Sequence, residues 1–502
     1  MKSCLLNHQG ASPARRRDGE LDQELVDDLG LDDLFDAMAS GDEFIRGVVR
    51  QLLPDSLRTV DQIRYRQAVL RDCLQNQSTV RELYHGAVDC LNREKQVWRG
   101  LFTKHIESMR SRSVEVLGIF LEGLTNLRSL AERARHDFES DGFGELFDLF
   151  TQELSDEYLD TMRKHLRRME LRSGVQLSAA LGDENQGRAY RLHMPEKQKP
   201  GWWERVTGGS ATGYTFKIDE RDESGARALS ELRARGIENA VHALAESADH
   251  VHDFLVALRT DLAFYLGCLN LHTALTDAGA PLSFPVPRQR AELAFAARDL
   301  RDVVLLLRSG SGVVGNDVES SGRPLVIVTG ANQGGKSTFL RSCGIAQLMA
   351  QAGLFVTAES LSSSVCDRIF THYRREEDDE MESGKFDEEL RRLRNITESA
   401  TAASMVLFNE SFAATNESEG SEIALEVLEA LCAAGVRVFC VTHMYALSAA
   451  LARRGTGAVT FLRADRDADG NRSFRLVAGA PRPTSHGQDL YRMIFDSAGR
   501  SP

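Results

Sequence analysis

The sequence has little of what staples a chain or carries it across a membrane. Its 8 cysteines, Cys4, Cys73, Cys90, Cys268, Cys343, Cys366, Cys432 and Cys440, are scattered over 502 residues without a C-x-x-C pair. That excludes a disulfide framework and argues against zinc, so they read as buried cytosolic thiols. Proline is scarce, at 11 residues, and nearly absent between Leu21 and Gly279 outside a short middle stretch. No run approaches the ~20 apolar residues of a membrane span. Positive charge is in deficit, with 61 Lys+Arg against 74 Asp+Glu and a net charge of −13. The molecule as a whole therefore repels polyanions, and any nucleic-acid contact has to be local. Met1 to Gly10 lacks an apolar segment long enough for a signal peptide, and Arg15, Arg16 and Arg17 follow in a polar context. Residues 1–20 are expected to be a disordered tail of a cytoplasmic protein. What remains, 42% hydrophobic and 27% charged residues, describes an ordinary globular chain of roughly three domains.

Between Leu21 and about residue 280 the pattern is helical. Ile237, Val241, Leu244, Ala248, Val251, Leu255, Leu258, Leu262, Tyr265 and Leu269 recur at alternating spacings of four and three, which keeps one apolar stripe on a single long helix of about 50 Å. A second helical region runs from about Ala87 to Arg135, with Val114, Leu117, Leu121 and Leu124 on its apolar face. Antiparallel helices burying these stripes, or a lever that transmits motion, would both produce this periodicity. A small β insertion is expected over about 174–219, where Gly201, Gly208, Gly209 and Gly213 lie near the alternating Tyr214-Thr215-Phe216-Lys217-Ile218. Trp202 and Trp203 either fold down on that loop or meet a partner. Arg163, Lys164, Arg167, Arg168 and Arg172 make the best local basic stretch, either a solvated face or a phosphate-binding one.

From Pro281, Pro285 and Pro287 onward, short β-branched runs alternate with helical segments, the grammar of an α/β domain over 281–500. Leu325-Val326-Ile327-Val328, Met405-Val406-Leu407-Phe408 and Val436-Arg437-Val438-Phe439-Cys440-Val441 are almost continuously apolar, as strands buried on both faces of a parallel sheet are. Val459–Arg463 and Phe474–Val477, joined by a polar segment with Asp469-Gly470, read as an edge hairpin.

Directly after the first strand stands Gly330-Ala331-Asn332-Gln333-Gly334-Gly335-Lys336-Ser337-Thr338, which satisfies G-x-x-x-x-G-K-[ST] between a strand and a helix. Composition alone yields this pattern roughly 0.02 times in such a chain. The chemistry is specific: glycines let backbone N–H groups close on phosphates at a helix N-terminus, Lys336 offsets phosphate charge, and the Ser337 hydroxyl ligates Mg²⁺. The second apolar run ends in Asn409-Glu410. The usual first residue of such a pair is an aspartate that holds Mg²⁺. Asn409 keeps the oxygen and loses the charge, which weakens the metal site, while Glu410 is the candidate that orients water. Thr442-His443 follows the third run, with His443 a candidate sensor of the terminal phosphate.

With these elements together, the chain resembles the MutS family of DNA mismatch-repair ATPases, more closely the MutS-related bacterial proteins without a mismatch-reading domain. The likeness runs through Val326–Arg341, Gly353-Leu354-Phe355-Val356-Thr357-Ala358-Glu359-Ser360, Asp367-Arg368-Ile369-Phe370-Thr371, Asn409-Glu410-Ser411, Thr415-Asn416-Glu417-Ser418-Glu419-Gly420 and Thr442-His443. Upstream, Tyr65-Arg66-Gln67 and Leu70-Arg71-Asp72 look like its helical core. The resemblance implies an α/β P-loop NTPase of the ABC type, preceded by a mainly α-helical core or lever domain (21–280). It implies ATP and Mg²⁺ as cofactors and a homodimer through the ATPase domains, in which a partner segment completes each site. Ser383-Gly384-Lys385 occupies that segment's place here, with Lys385 where the family carries hydroxyls. DNA is the implied partner and no membrane is involved. Phe120-Leu121-Glu122 and Phe143-Gly144-Glu145 match the letters of the family's mismatch wedge by chance, within helical stretches. The chain stops soon after Tyr491-Arg492-Met493-Ile494-Phe495, so no dimerisation extension or nuclease module is expected. The expected function is an ATP-hydrolysing protein of DNA mismatch repair or related DNA maintenance. A nucleotide-gated dimeric scaffold with negligible hydrolysis is the alternative.

Overall fold

The structure is a computed structural model that describes residues 3–7, 23–55, 57–97, 105–170, 176–181, 187–193, 223–331, 333–374, 385–455, 457–466 and 472–482. The chain forms two compact units, and neither is one continuous stretch. The first takes Met1–Ser3, Arg81–His136 and Glu145–Arg259; the second takes Cys4–Val80, Asp137–Gly144 and Thr260–Pro502. This partition crosses the linear division expected from the sequence, because residues 4–80 fall with the C-terminal half.

The first unit is helical. Within it Leu117, Phe120, Leu121, Leu124 and Leu127 on the helix Ile106–Ala134 are buried. Phe150 and Phe254 meet edge to face with centroids 6.0 Å apart. Gly123 is where that helix passes Cys90: a Cβ there would lie 1.9 Å from the thiol sulfur, so no larger residue fits. Phe120, the first letter of one chance wedge match, is 1% exposed and belongs to this core. The expected β insertion begins as an antiparallel pair, Gln176–Leu181 with Gly187–His193; Trp202, Trp203 and Tyr214–Ile218 lie outside the described residues.

The striped helix spans Glu223–Asp277, 55 residues or roughly 80 Å. In the stripe, Ile237, Val241, Ala248, Leu255 and Leu258 are buried and Leu244 and Val251 half-buried, while from Leu262 to Leu269 every residue is buried, and that part belongs to the second unit. By composition an 18-residue window of Ala234–Asp277 is apolar enough for a membrane span, with a mean hydropathy of 1.4. This corrects the expectation that no segment comes near one. With 67% of the window buried inside the protein, the apolarity serves the core.

The second unit is built on a six-stranded sheet in the order Arg472–Ala478, Val459–Arg466, Leu325–Thr329, Arg437–Val441, Met405–Asn409, Ile369–Tyr373. All neighbours are parallel except the edge hairpin Val459–Arg466 and Arg472–Ala478. Leu325–Thr329 and Arg437–Val441 are buried at every position because helices cover both faces. On one face Ala424, Leu428, Leu447, Leu393 and Ile396 pack against Ile327, Val406, Phe408 and Val438. On the other lies the helix Lys336–Gln351, buried almost throughout, with Gly344 wedged between Leu407 and Leu29. A separate four-stranded sheet joins Val286–Arg288, Ser360–Ser364, Phe295–Leu300 and Asn316–Glu319. The sequence did not announce it, since Ser360-Leu361-Ser362-Ser363-Ser364 has neither β-branched nor aromatic residues.

Within this unit Arg66, 3% exposed, explains why residues 4–80 belong here. Its guanidinium donates to Leu6 O and Ala352 O at 3.3 Å and lies 5.3 Å from the Phe264 ring centre. Its neighbour Gln67 donates to Pro285 O at 2.9 Å. The start of the expected tail is likewise built in. Cys4, Leu5 and Leu6 are buried, and the carbonyls of Cys4 and Leu5 accept from the hydroxyls of Tyr65 (2.7 Å) and Tyr265 (2.6 Å). Two leucines and three carbonyls inside a core are not a tail; residues 8–22 lie outside the described residues.

Candidate functional site

The strand Leu325–Thr329 runs into the turn 330–335, and the helix Lys336–Gln351 leaves it. Gly330 (φ 121°), Gln333 (φ 59°) and Gly335 (φ 86°) are in left-handed backbone. Gly330 also has no room for a side chain, since a Cβ would sit 2.9 Å from the Ala464 backbone nitrogen on the adjoining strand. Gly335 caps the helix without a side-chain acceptor, so the first amides stay available to an incoming anion.

Lys336 is 4% exposed. Its ammonium group donates to Gly330 O (3.1 Å) and Ala331 O (3.0 Å) and stands 4.0 Å from Glu410 Oε1. Burial lowers its pKa, and the Glu410 charge pulls the other way. Ser337, one residue on, donates to Asn409 Oδ1 at 2.9 Å. Glu410 itself has φ 53° and donates its backbone N–H to Val441 O at 2.9 Å. The strand ends of Met405–Asn409 and Arg437–Val441 thus hold it at the same edge as the turn. A cleft of about 490 Å³ opens there, lined by Leu305, Gly312, Val313, Val314, Asn316, Gln333, Gly335, Lys336, Ser337, Thr338, Glu410 and Phe474.

The geometry therefore brings together Gln333, Gly335, Lys336, Ser337, Thr338, Asn409 and Glu410, with Gly330, Ala331 and Gly334 forming the turn behind them. It does not bring in His443, which is exposed beyond the end of Arg437–Val441 and does not line the cleft. Asn332, Ser383 and Gly384 lie outside the described residues, as does the Lys385 side chain; the Lys385 backbone opens the helix Lys385–Ser399.

Several contributors were not signalled by the sequence. Arg472, on the edge hairpin, donates to Gln333 Oε1 at 2.6 Å, and Phe474 covers the mouth at 48% exposure. Leu305 is held by Asp302, which caps the helix Val303–Ser309 by accepting from Leu305 N (2.7 Å) and also accepts from Nε and Nη2 of Arg341 at 2.8 and 2.9 Å. Their sequence neighbourhoods carry no motif. The chemistry of the whole is that of an anion receptor with one carboxylate and two neutral oxygens beside it.

Two family models match the chain: the MutS2 N-terminal domain over residues 58–278 and MutS domain V over residues 326–490. Among curated relatives, "Endonuclease MutS2" of Thermus thermophilus is 33% identical over 177 residues, 35% of this chain and 21% of the relative. "Endonuclease MutS2" of Lacticaseibacillus paracasei is 28% identical over 284 residues, 54% of this chain and 34% of the relative. "DNA mismatch repair protein MutS" of Clostridium kluyveri is 39% identical over 118 residues, 23% and 13%. The chain thus spans between 13% and 34% of the length of these relatives. With a MutS2-type N-terminal segment leading into a MutS domain V that carries the turn, lysine and carboxylate just described, this chain is a MutS-related protein.

Proposed function

We propose that the protein binds and hydrolyses ATP in a P-loop site of the ABC type and couples that cycle to DNA. The observation that carries the reading is Lys336. A buried ammonium resting on the carbonyls of its own turn, 4.0 Å from Glu410, has stand-in partners that a triphosphate would replace with stronger, charged ones. In this reading the 330–338 segment cradles the phosphates and Glu410 orients the attacking water. His443 approaches the terminal phosphate only if closure of the site brings it in. The oxygen donors Ser337, Asn409 and Glu410 suit Mg²⁺, a hard cation. The hydroxyl and amide oxygens already lie 2.9 Å apart, and the ion would neutralise phosphate charge. The segments 21–280 and 281–500 are proposed as lever and ATPase domains of a cytoplasmic homodimer, with Ser383-Gly384-Lys385 reaching the partner's nucleotide.

DNA maintenance follows from the kinship with proteins named for mismatch repair. The helix Asp156–Met169 presents Lys164, Arg167 and Arg168 on its exposed surface, whereas Arg163 is engaged by Asp160 and Thr125 at 3.0 Å; Arg172 lies outside the described residues. A second reading, an ATP-gated scaffold without turnover, is favoured by one observation, the uncharged Asn409. Single-turnover hydrolysis at saturating Mg²⁺ separates the two. Steady-state hydrolysis abolished by Lys336→Ala and by Glu410→Gln supports the first; unaltered rates in both variants sink it. DNA coupling is tested by binding of homoduplex, mismatched, branched and single-stranded DNA at fixed salt with ATP, ADP or neither. Equal weak binding throughout would remove the DNA claim and leave the ATPase.

A further inference from the structure

The backbone on the far side of Glu410 is held by residues that the proposed mechanism does not use. His372, at 0% exposure, stands opposite Phe408 in the parallel pair of Ile369–Tyr373 with Met405–Asn409. Its Nδ1 is 2.7 Å from Ser411 Oγ, and that hydroxyl is 2.6 Å from His372 O. Its Nε2 is 3.1 Å from Glu389 O. A carbonyl only accepts, so Nε2 carries a proton. Nδ1 then either accepts the Ser411 proton or, itself protonated, donates to Ser411 while the hydroxyl serves His372 O. Either arrangement pins Ser411, the residue after Glu410.

Glu389, whose backbone carbonyl faces His372 Nε2 at 3.1 Å, ties the helix Lys385–Ser399 to this histidine. Glu389 is 9% exposed, and burial raises the pKa of its carboxyl, opposed by the Arg374 and Arg392 charges and by the backbone N–H groups of Phe412 and Ala414. Arg392 also donates to Tyr373 O at 3.0 Å. The backbone being held is strained: Glu410 and Phe412 have φ of 53° and 66°, a conformation that side-chain-bearing residues keep only when the surroundings impose it. Glu389 and Arg392 both sit on Lys385–Ser399, the helix that follows the proposed partner-facing segment.

We propose that His372, Ser411 and Glu389 form a clamp that positions the Glu410 carboxylate, so that the helix Lys385–Ser399 governs whether Glu410 is aligned for hydrolysis. This rests on the reading of Glu410 as the water-orienting carboxylate. The three are positioning residues: none lines the cleft. Misplacing a catalytic group by about 1 Å costs up to ~100-fold in rate, whereas in this reading nucleotide grip belongs to the turn 330–338, and the hydrogen bonds given above for the three run to other residues.

The test compares wild type, Ser411→Ala, His372→Asn and Glu410→Gln for turnover and, separately, for equilibrium binding of a fluorescent ATP analogue. The expected result is a kcat at least about fivefold lower in Ser411→Ala and His372→Asn, with analogue affinity within about twofold of wild type. Ser411→Ala deletes a single buried hydroxyl and keeps the fold even should His372→Asn destabilise it. Wild-type kcat in Ser411→Ala beside an inactive Glu410→Gln overturns the clamp and leaves the ATPase reading intact. Parallel loss of affinity and kcat overturns it as well, since that is general loosening. A wild type that binds the analogue but never turns it over takes down both.

Discussion

Ser337 Oγ and Asn409 Oδ1 are hydrogen-bonded at 2.9 Å, the first turn of one helix tied to the last residue of the neighbouring strand's neighbour. The bond is between neutral groups, so each side chain satisfies the other without a cation. Replacing the amide by a carboxylate turns the same position into a charged ligand. Asn409→Asp is expected to lower the Mg²⁺ concentration for half-maximal hydrolysis by about tenfold, the equivalent of ~1.4 kcal/mol. A Mg²⁺ titration of turnover in both proteins checks it, and superimposable curves would argue against this oxygen pair as the cation site.

Lys336 gives a pH dependence with a definite sign. Burial places its pKa below the ordinary lysine value of 10.5, and a bound triphosphate favours the ammonium form. Affinity is therefore fully present at pH below the free site's pKa and falls as pH rises through it, with a proton taken up on binding in that window. Calorimetric titration with ATP in two buffers of different ionisation enthalpy, at pH 7 and again above pH 9, reads the uptake directly. Proton uptake that stays at zero across this range would mean the amine is not where the phosphates land.

Asp302 is 2% exposed and serves two partners, the Arg341 guanidinium and the amide of Leu305. Asp302→Ala strands a largely buried cation and removes a helix cap, for a cost of ~3 kcal/mol or more. A lower urea midpoint with weaker nucleotide binding is expected, because Leu305 lines the cleft. An unchanged midpoint would show that water replaces the carboxylate freely.

The thiols should be silent. Burial pushes Cys366 and Cys440 up to about 12 and Cys90 and Cys432 up to about 11, so at pH 8 their thiolate fraction is small. Cys432 alone among the 8 is half-buried rather than buried. A thiol-reactive chromophore at pH 8 is expected to label Cys432 first and the rest only after denaturant is added. Rapid labelling of several cysteines in the native protein would contradict the packing.

The turn and the central strands were legible because their signals are local. Leu325–Val328 reads as a doubly buried strand from its own residues, and Gly330 to Thr338 carries its spacing in nine consecutive positions. The edge hairpin was readable for the same reason. What failed to show depends on distance in sequence. Arg66 to Ala352 and Asp302 to Arg341 are single hydrogen-bonded pairs without periodicity, and the assignment of residues 4–80 to the C-terminal unit is made of such pairs. The clamp on Ser411 joins His372 and Glu389 from two further elements, and a lone histidine in a strand gives no hint of it. Conversely, helical periodicity gave the stripe, in which Leu262, Tyr265 and Leu269 are also buried, but not that from Leu262 to Leu269 all sides of the helix are covered.

The three carbonyls of Cys4, Leu5 and Leu6, each gripped by a side chain of the second unit, bear on how the protein is handled at the bench. A shortened version beginning at the first long helix would strip acceptors from two tyrosine hydroxyls and a sequestered guanidinium while vacating the space of two leucines.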